Sequence, residues 1–386
     1  MSNQILLPEI LQIGAGAIEN VAEVLLSCGC QYPCIITDPM IIELGYVDRL
    51  KKILARKNIP CGIFSDTVPE PTDISITPAV ETICSDSYDS IIAIGGGSAI
   101  DSAKAISILA KFGGVMRDYK APKDIDASGL PVIAIPTTAG TGSETTRFTI
   151  ITDASNDEKM LCMGRGFMPA AAIIDYQLTL TLPPRITADS GIDALTHAIE
   201  SYVSQKANPF SDQQAIAAIK LIAPNLRIAY HEPDNIKARE AMTLGATLAG
   251  IAFSNASVAL VHAMSRPIGA HFHVPHGLSN AMLLPTVIEF SLMGSPERFA
   301  ECARLMGLCE PDDDELTAHR KLIDELGAIN KELQVPTPEL FGIDKKHYDA
   351  LLPLMAQQAM DSGSANNNPK VPSISEIIEL YKMAWK

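Results

Sequence analysis

Basic charge is what this sequence has least of. Thirty Lys and Arg stand against 45 Asp and Glu in 386 residues, a formal net charge of −15. No Lys/Arg cluster is present, so the electrostatic footprint of a nucleic-acid or anionic-membrane binder is excluded. A CxxC pair is also lacking. The eight cysteines, Cys28, Cys30, Cys34, Cys61, Cys84, Cys162, Cys302 and Cys309, have neither zinc-ribbon spacing nor a disulfide framework. Free thiols in a reducing cytoplasm are the expectation. The opening MSNQILLPEI has no basic start leading into an apolar run, which again points to the cytoplasm. Neither an internal repeat nor a low-complexity segment interrupts the chain. One long weakly polar stretch exists, Gly245 to Met264, but it carries Ser254, Asn255, Ser257 and His262. It reads as a buried helix of a large protein rather than a membrane span.

Apolar residues make up 47% and charged residues 19%, a composition that packs into more than one core at this length. The first half alternates short β-rich runs with helical stretches. Strands are expected at 34–38, 60–64, 90–94, 132–136 and 172–175, and helices at 47–57, 74–84 and 98–111. That rhythm predicts a mainly parallel sheet covered by helices. After Leu182-Pro183-Pro184 no strand pattern follows, only long Ala-rich helical segments at 188–203, 210–229, 236–253 and 256–266. Because proline continues neither helix nor central strand, the boundary falls there. The expectation is an α/β domain at 1–183 and an all-helical domain at 184–386.

Gly95-Gly96-Gly97-Ser98 leaves a strand and opens a helix. Glycines let backbone amides approach a ligand, and a helix N-terminus offers unpaired N–H groups to a pyrophosphate. The usual G-x-G-x-x-G fingerprint is not met, since position 100 is Ile. Asp38 ends the first recognised strand and precedes the glycines. An acid there can bind ribose hydroxyls and repel a 2′-phosphate, or simply cap a helix. A second loop, Pro136-Thr137-Thr138-Ala139-Gly140-Thr141, leaves another strand's carboxyl end, where ligands of open α/β sheets bind.

Asp193 and His197 lie four apart on one helix face; His262 and His276 follow further along. One carboxylate and three imidazoles can hold a divalent first-row metal with a position open for substrate. Each also has an ordinary reading: a surface charge, a core histidine, a turn residue. His271 and His273 lie close enough in sequence to compete for the count. The chemistry that unites such a site with two nucleotide loops is hydride transfer, in which a Lewis acid at the oxygen eases loss of the hydroxyl proton.

Taken in order, Gly95-Gly96-Gly97-Ser98-x-x-Asp101-x-x-Lys104, Pro136-Thr137-Thr138-Ala139-Gly140-Thr141, Asp193-Ala194-Leu195-Thr196-His197-Ala198-x-Glu200, and His262-Ala263-Met264 leading to Pro275-His276-Gly277 resemble the iron-containing (group III) alcohol dehydrogenases. That family includes lactaldehyde reductase and 1,3-propanediol dehydrogenase. The resemblance spans nearly the whole chain. It implies a dehydroquinate-synthase-like fold, with an α/β dinucleotide-binding domain at 1–183 and an all-α metal-binding domain at 184–386, and reversible NAD-linked oxidation of a small primary alcohol or diol in an interdomain cleft. It also implies that Asp193, His197, His262 and His276 ligate Fe(II) or Zn(II), and that Gly95, Gly96, Gly97 and Ser98 hold the pyrophosphate. Asp38 would contact the ribose, with Lys159 near it, and Asp101 would lie near the nicotinamide. Thr137, Thr138 and Thr141 would line the cofactor site, and Phe148 and Phe253 the substrate pocket. Homodimers or larger homo-oligomers are implied as well.

The chain departs from the family at one place. Many relatives read H-A-M-A-H, whereas here the run is His262-Ala263-Met264-Ser265-Arg266. Pro267 follows and marks a helix end, so Arg266 is expected to face solvent or cap that end. The alternative is that Arg266 lines the pocket and binds an acidic substrate, a hydroxy acid or its semialdehyde. Competing readings for the whole chain are a zinc polyol dehydrogenase, a cyclase of the dehydroquinate-synthase kind, a metal hydrolase, and a non-catalytic binding protein on the same fold.

Overall fold

A computed structural model describes residues 3–386. They divide into two compact units, Gln4–Thr181 and Leu182–Lys386. In the first unit, chain order runs β1 (Ile10–Ile13), α1 (Val21–Ser27), β2 (Pro33–Ile36), α2 (Pro39–Glu43), α3 (Tyr46–Ala55), β3 (Gly62–Phe64), α4 (Asp73–Asp86), β4 (Ser90–Gly95), α5 (Gly97–Phe112), β5 (Val132–Pro136), β6 (Phe148–Asp153), β7 (Glu158–Met163) and β8 (Ala171–Ile174).

Six strands form one sheet in the order β1-β8-β5-β4-β2-β3, and every pairing in it is parallel. The period-2 alternation of strand side chains explains how both faces are covered. Cys34, Ile36, Ile91, Ala93, Val132 and Ala134 point to the face packed by Ile76, Ala79 and Ile83 of α4 and by Ile100, Ala103 and Ile106 of α5. Their neighbours Ile35, Ile92, Ile94, Ile133, Ile135 and Ile173 pack under Val21 and Leu25 of α1 and Leu50 and Leu54 of α3. Strands buried on both faces carry almost no polar residue, which is why they read as apolar runs.

The sequence pattern passed over β1 and the hairpin of β6 and β7. Antiparallel pairing joins Phe148 to Met163 and Asp153 to Glu158. Polar residues such as Thr149, Thr152, Lys159 and Glu158 dilute the apolar pattern, and cross-strand pairing supplies what propensity does not.

The second unit is helical: α6 (Pro184–Val203), α7 (Pro209–His231), α8 (Ile236–Ala256), α9 (Leu260–Phe272), α10 (His276–Ser291), α11 (Pro296–Leu305), α12 (Glu315–Glu332), α13 (Pro338–Phe341), α14 (Lys345–Asp361) and α15 (Ile374–Met383). Among the described residues no single helix is long and apolar enough to cross a membrane.

The structure corrects two expectations here. The two helices expected at 236–253 and 256–266 meet at 103°, so the stretch from Gly245 to Met264 is not the single buried helix its composition suggests. Ser257, at φ 64°, ends α8. Glu200 of α6 then starts α9 by accepting hydrogen bonds from the N–H groups of Ala259 (3.0 Å) and Val261 (2.6 Å). A carboxylate suits that position because the first N–H groups of a helix lack intrahelical partners and carry positive partial charge.

The second correction concerns Arg266. Helix α9 continues through Pro267 to Phe272, and Arg266 is buried, 8% exposed. Every residue from Leu260 to Gly269 is buried. Packing all round the helix outweighs the local cost of an internal proline, about 3 kcal/mol.

Candidate active site

In the α/β unit, the carboxyl ends of β2, β4 and β5 bring the two loops together. Gly95 pairs with Pro136 across β4 and β5, and the Thr137 N–H donates to the Gly95 carbonyl at 2.9 Å. Gly95 sits at φ 151°, which a side chain would strain. Gly96 precedes α5 as its cap residue, with no side-chain hydrogen bond capping the helix. A Cβ on Gly97 would come within 2.7 Å of Thr141 Cγ2, and one on Gly96 within 3.4 Å of Thr138 Cγ2. The threonine loop therefore lies directly over the glycine turn. Uncapped helix N–H groups beside hydroxyls form a surface suited to phosphate oxygens.

Asp38 serves as a cap and also faces the loop. Its Oδ1 accepts from the Ile41 N–H at 3.1 Å, while Oδ2 would lie 3.4 Å from a Cβ on Gly95. Lys159 reaches the same region. It forms an ion pair with Glu70, whose N–H donates to Ser98 Oγ at 3.4 Å.

Asp101 is tied inward. It accepts from Ser143 Oγ at 2.5 Å and the Ile150 N–H at 3.0 Å, and burial pushes its carboxyl up from the usual range. Lys104 completes this knot, donating to Ser143 Oγ, Thr146 and the Phe148 carbonyl at 2.8–3.0 Å. Burial pulls its ammonium down to about 8. Phe148 is thus held by its backbone at the start of β6.

The helical unit assembles the other set. Asp193 and His197 come from α6, His262 from α9 and His276 from the first position of α10. One ligand atom from each lies within 4.8 Å of all the others. His271 and His273 are not in this group: His271 faces Gln358 at 2.8 Å, and His273 ends α9 at φ 54°. Asp193 Oδ1 is 3.4 Å from His262 Nε2 and 3.8 Å from His276 Nε2, and its Oδ2 is 3.9 Å from His197 Nδ1. The imidazoles stack, His197 on His262 at 4.4 Å, with Phe253 against the other face of His197 at 4.2 Å. Burial alone would raise the Asp193 carboxyl, but three imidazoles hold it far below the ordinary range.

Two residues that the sequence reading did not assign complete the geometry. Glu200, 1% exposed, receives His262 Nδ1 at 2.6 Å in addition to the two α9 N–H groups. A carboxylate only accepts, so Nδ1 carries the proton and Nε2 presents its lone pair towards Asp193. Asn280, one turn after His276, places Nδ2 at 2.6 Å from Asp193 Oδ1, 3.0 Å from His262 Nε2 and 3.3 Å from His276 Nε2. An amide has two protons for these three acceptors, and its own Oδ1 has no partner. Acceptors converging without enough protons describe a cation site, and one oxygen with imidazole nitrogens suits iron or zinc. A signal for both residues exists in the sequence: Glu200 is i+3 from His197 and Asn280 is i+4 from His276, each a polar residue on the helix face that carries the histidine.

The family description "Iron-containing alcohol dehydrogenase" matches residues 8–176, and "Fe-containing alcohol dehydrogenase family, C-terminal" matches residues 187–385. A probable alcohol dehydrogenase, EutG, of Escherichia coli strain K12 is 38% identical over 378 residues, 98% of this chain and 93% of that protein. An NAD-dependent methanol dehydrogenase of Bacillus methanolicus is 34% identical over 379 residues, 98% of each chain. Among solved structures, a 1,3-propanediol oxidoreductase superposes with a TM-score of 0.95 at 34% identity, covering 100% of both chains.

Proposed function

Because this chain belongs to the iron-containing alcohol dehydrogenase family, we propose that it transfers a hydride between a small primary alcohol or diol and NAD. In this reading Asp193, His197, His262 and His276 hold Fe(II), with Zn(II) as the alternative occupant. The observation that carries it is the convergence of one carboxylate and three imidazoles on a single point, where one amide cannot satisfy them. A divalent ion held there supplies positive charge to the reacting oxygen. The residues do the rest. Glu200 keeps His262 in one tautomer, Phe253 and His262 hold the His197 ring between them, and burial of Asp193 excludes water from its carboxylate.

NAD would be bound by the α/β unit. Gly95, Gly96, Gly97 and Ser98 would take the pyrophosphate, Thr137, Thr138 and Thr141 would line its loop, and Asp101 and Lys104 would hold that loop in place through Ser143. Asp38 and Lys159 would face the ribose. Phe148 and Phe253 remain the residues assigned to the substrate. NAD dependence is supported by the methanol dehydrogenase relative, and small alcohols or diols as substrates by that relative and the 1,3-propanediol oxidoreductase. Eight free thiols suit a reducing cytoplasm, and a homodimer or larger homo-oligomer is expected by sedimentation.

The test is reconstitution. Protein stripped of metal and reloaded without oxygen, with Fe(II) or Zn(II) in separate samples, should form NADH from a primary alcohol only when metal is present. Absence of NADH with either metal, in protein that binds NAD, would remove the assignment. A second expected outcome concerns Asp38. Its carboxylate beside Gly95 would repel a 2′-phosphate, so Asp38→Gly should narrow the NAD-over-NADP ratio of kcat/KM by about tenfold or more. An unchanged ratio counts against the ribose role.

A further inference from the structure

Arg266 is a buried cation that forms no ion pair among the described residues. Its Nη1 donates to Ser364 Oγ at 3.2 Å, and its buried Nε has no partner. The Glu200 charge acts on it without direct contact, the two Glu200 oxygens being taken by the Ala259 and Val261 N–H groups and His262 Nδ1. The Ser364 carbonyl accepts the Asn367 N–H at 3.0 Å, and Asn367 Nδ2 in turn donates to Ser257 Oγ at 2.9 Å and the Val258 carbonyl at 3.1 Å. Burying a guanidinium is costly unless a negative charge or several acceptors meet it. Arg239, the other deeply buried arginine of this unit, shows the usual solution: it donates to the Pro233 and Leu182 carbonyls and to Thr187 Oγ1. Arg266 has only one hydroxyl.

Position gives this deficit a meaning. Arg266 follows His262 by four residues on α9, so both project from one face, one helical turn apart, about 6 Å along the axis. His262 is fixed in orientation by Glu200. Burial pulls the Arg266 guanidinium down to about 10, against an upward pull from the Glu200 charge. It therefore remains cationic at neutral pH.

We propose that Arg266 is the subsite for an anionic group on the substrate, so that this enzyme prefers alcohols and aldehydes carrying a carboxylate or sulfonate a few carbons from the reacting carbon. The proposal rests on the hydride-transfer reading above and narrows its substrate class. Binding would add the missing charge and the missing acceptors in one step, and a guanidinium matches the planar oxygen pair of a carboxylate.

Matched alcohols test it with the metal-loaded enzyme and NAD. Wild type should oxidise 4-hydroxybutanoate with a kcat/KM at least about tenfold above that for 1-butanol, the difference lying in KM. Arg266→Met should erase that ratio, and Arg266→Lys should restore part of it. A wild-type preference for 1-butanol, or a ratio that survives Arg266→Met, would overturn the proposal. Butanoate binding, read by calorimetry on the same protein without alcohol, separates the two readings. Binding that is lost in Arg266→Met, in protein that oxidises neither alcohol, would retain the anion site and reject the dehydrogenase assignment. If neither variant folds, wild-type butanoate binding that weakens with added salt supports the site, and the absence of binding overturns it.

Discussion

Replacing His197 by Gln should lower kcat/KM by about a thousandfold or more, because the charge stabilisation that depends on the ligand set amounts to several kcal/mol and each 1.36 kcal/mol is a factor of ten. Gln is the informative substitution. His197 lies between Phe253 at 4.2 Å and His262 at 4.4 Å, so a smaller residue would leave a cavity and confuse lost packing with a lost ligand. Metal content measured on the purified variant should fall from one ion per chain towards none. NAD binding should persist, since the nucleotide loops belong to the Gln4–Thr181 unit. Substantial turnover with a full complement of metal would remove His197 from the ligand set.

The second large effect is expected at Glu200, which touches neither substrate nor nucleotide in this reading. Its carboxylate accepts three N–H groups: Ala259 and His262 Nδ1 on Oε2, and Val261 on Oε1. In Glu200→Gln one of the two oxygens becomes an NH2 group. If that group faces Val261, two donors oppose each other at the start of α9. If it faces His262, the imidazole must shift its proton to Nε2, which closes the lone pair aimed at Asp193. Either way metal affinity should fall by about 10- to 100-fold, the usual cost of losing such a partner to a ligating histidine. Glu200→Ala should fall further and also lose thermal stability, since buried donors left without an acceptor cost about 1–3 kcal/mol each. Competition titration with a chromophoric chelator measures the first effect and thermal melting of metal-free protein the second. A lower melting temperature with unchanged metal affinity would reduce Glu200 to a helix cap.

Glu200 also shows why a local reading of the second half goes astray. The stretch Gly245 to Met264 has the composition of one apolar helix. Nothing within it demands a 103° turn. The turn is bought from outside, by a carboxylate that takes the first N–H groups of α9 and thereby swings His262 towards Asp193. Arg266 repeats the lesson with opposite sign. Pro267 is a sound local signal for a helix end, yet the helix passes through it because burial on all sides rewards continuity more than one missing hydrogen bond penalises it. The β6–β7 hairpin is not legible in the sequence for a related reason, its polar residues being stabilised by pairing across the strands rather than by their own propensity.

The parallel sheet with its helical covering was determined by the sequence itself. Strands buried on both faces must be apolar throughout, and glycines must stand where a strand gives way to a helix that leaves its first N–H groups uncapped. Those requirements are local, so they are written locally, as are the i and i+4 positions of Asp193 and His197 on one turn of α6. The pairing of that turn with His262 and His276, rather than with His271 or His273, was decided only by tertiary structure. So were the acceptor role of Glu200, the amide of Asn280 and the burial of Arg266. Each depends on groups separated by tens of residues, up to 98 for Arg266 and Ser364, and hydrogen bonding and desolvation act on distance in space, which periodicity along a chain does not encode.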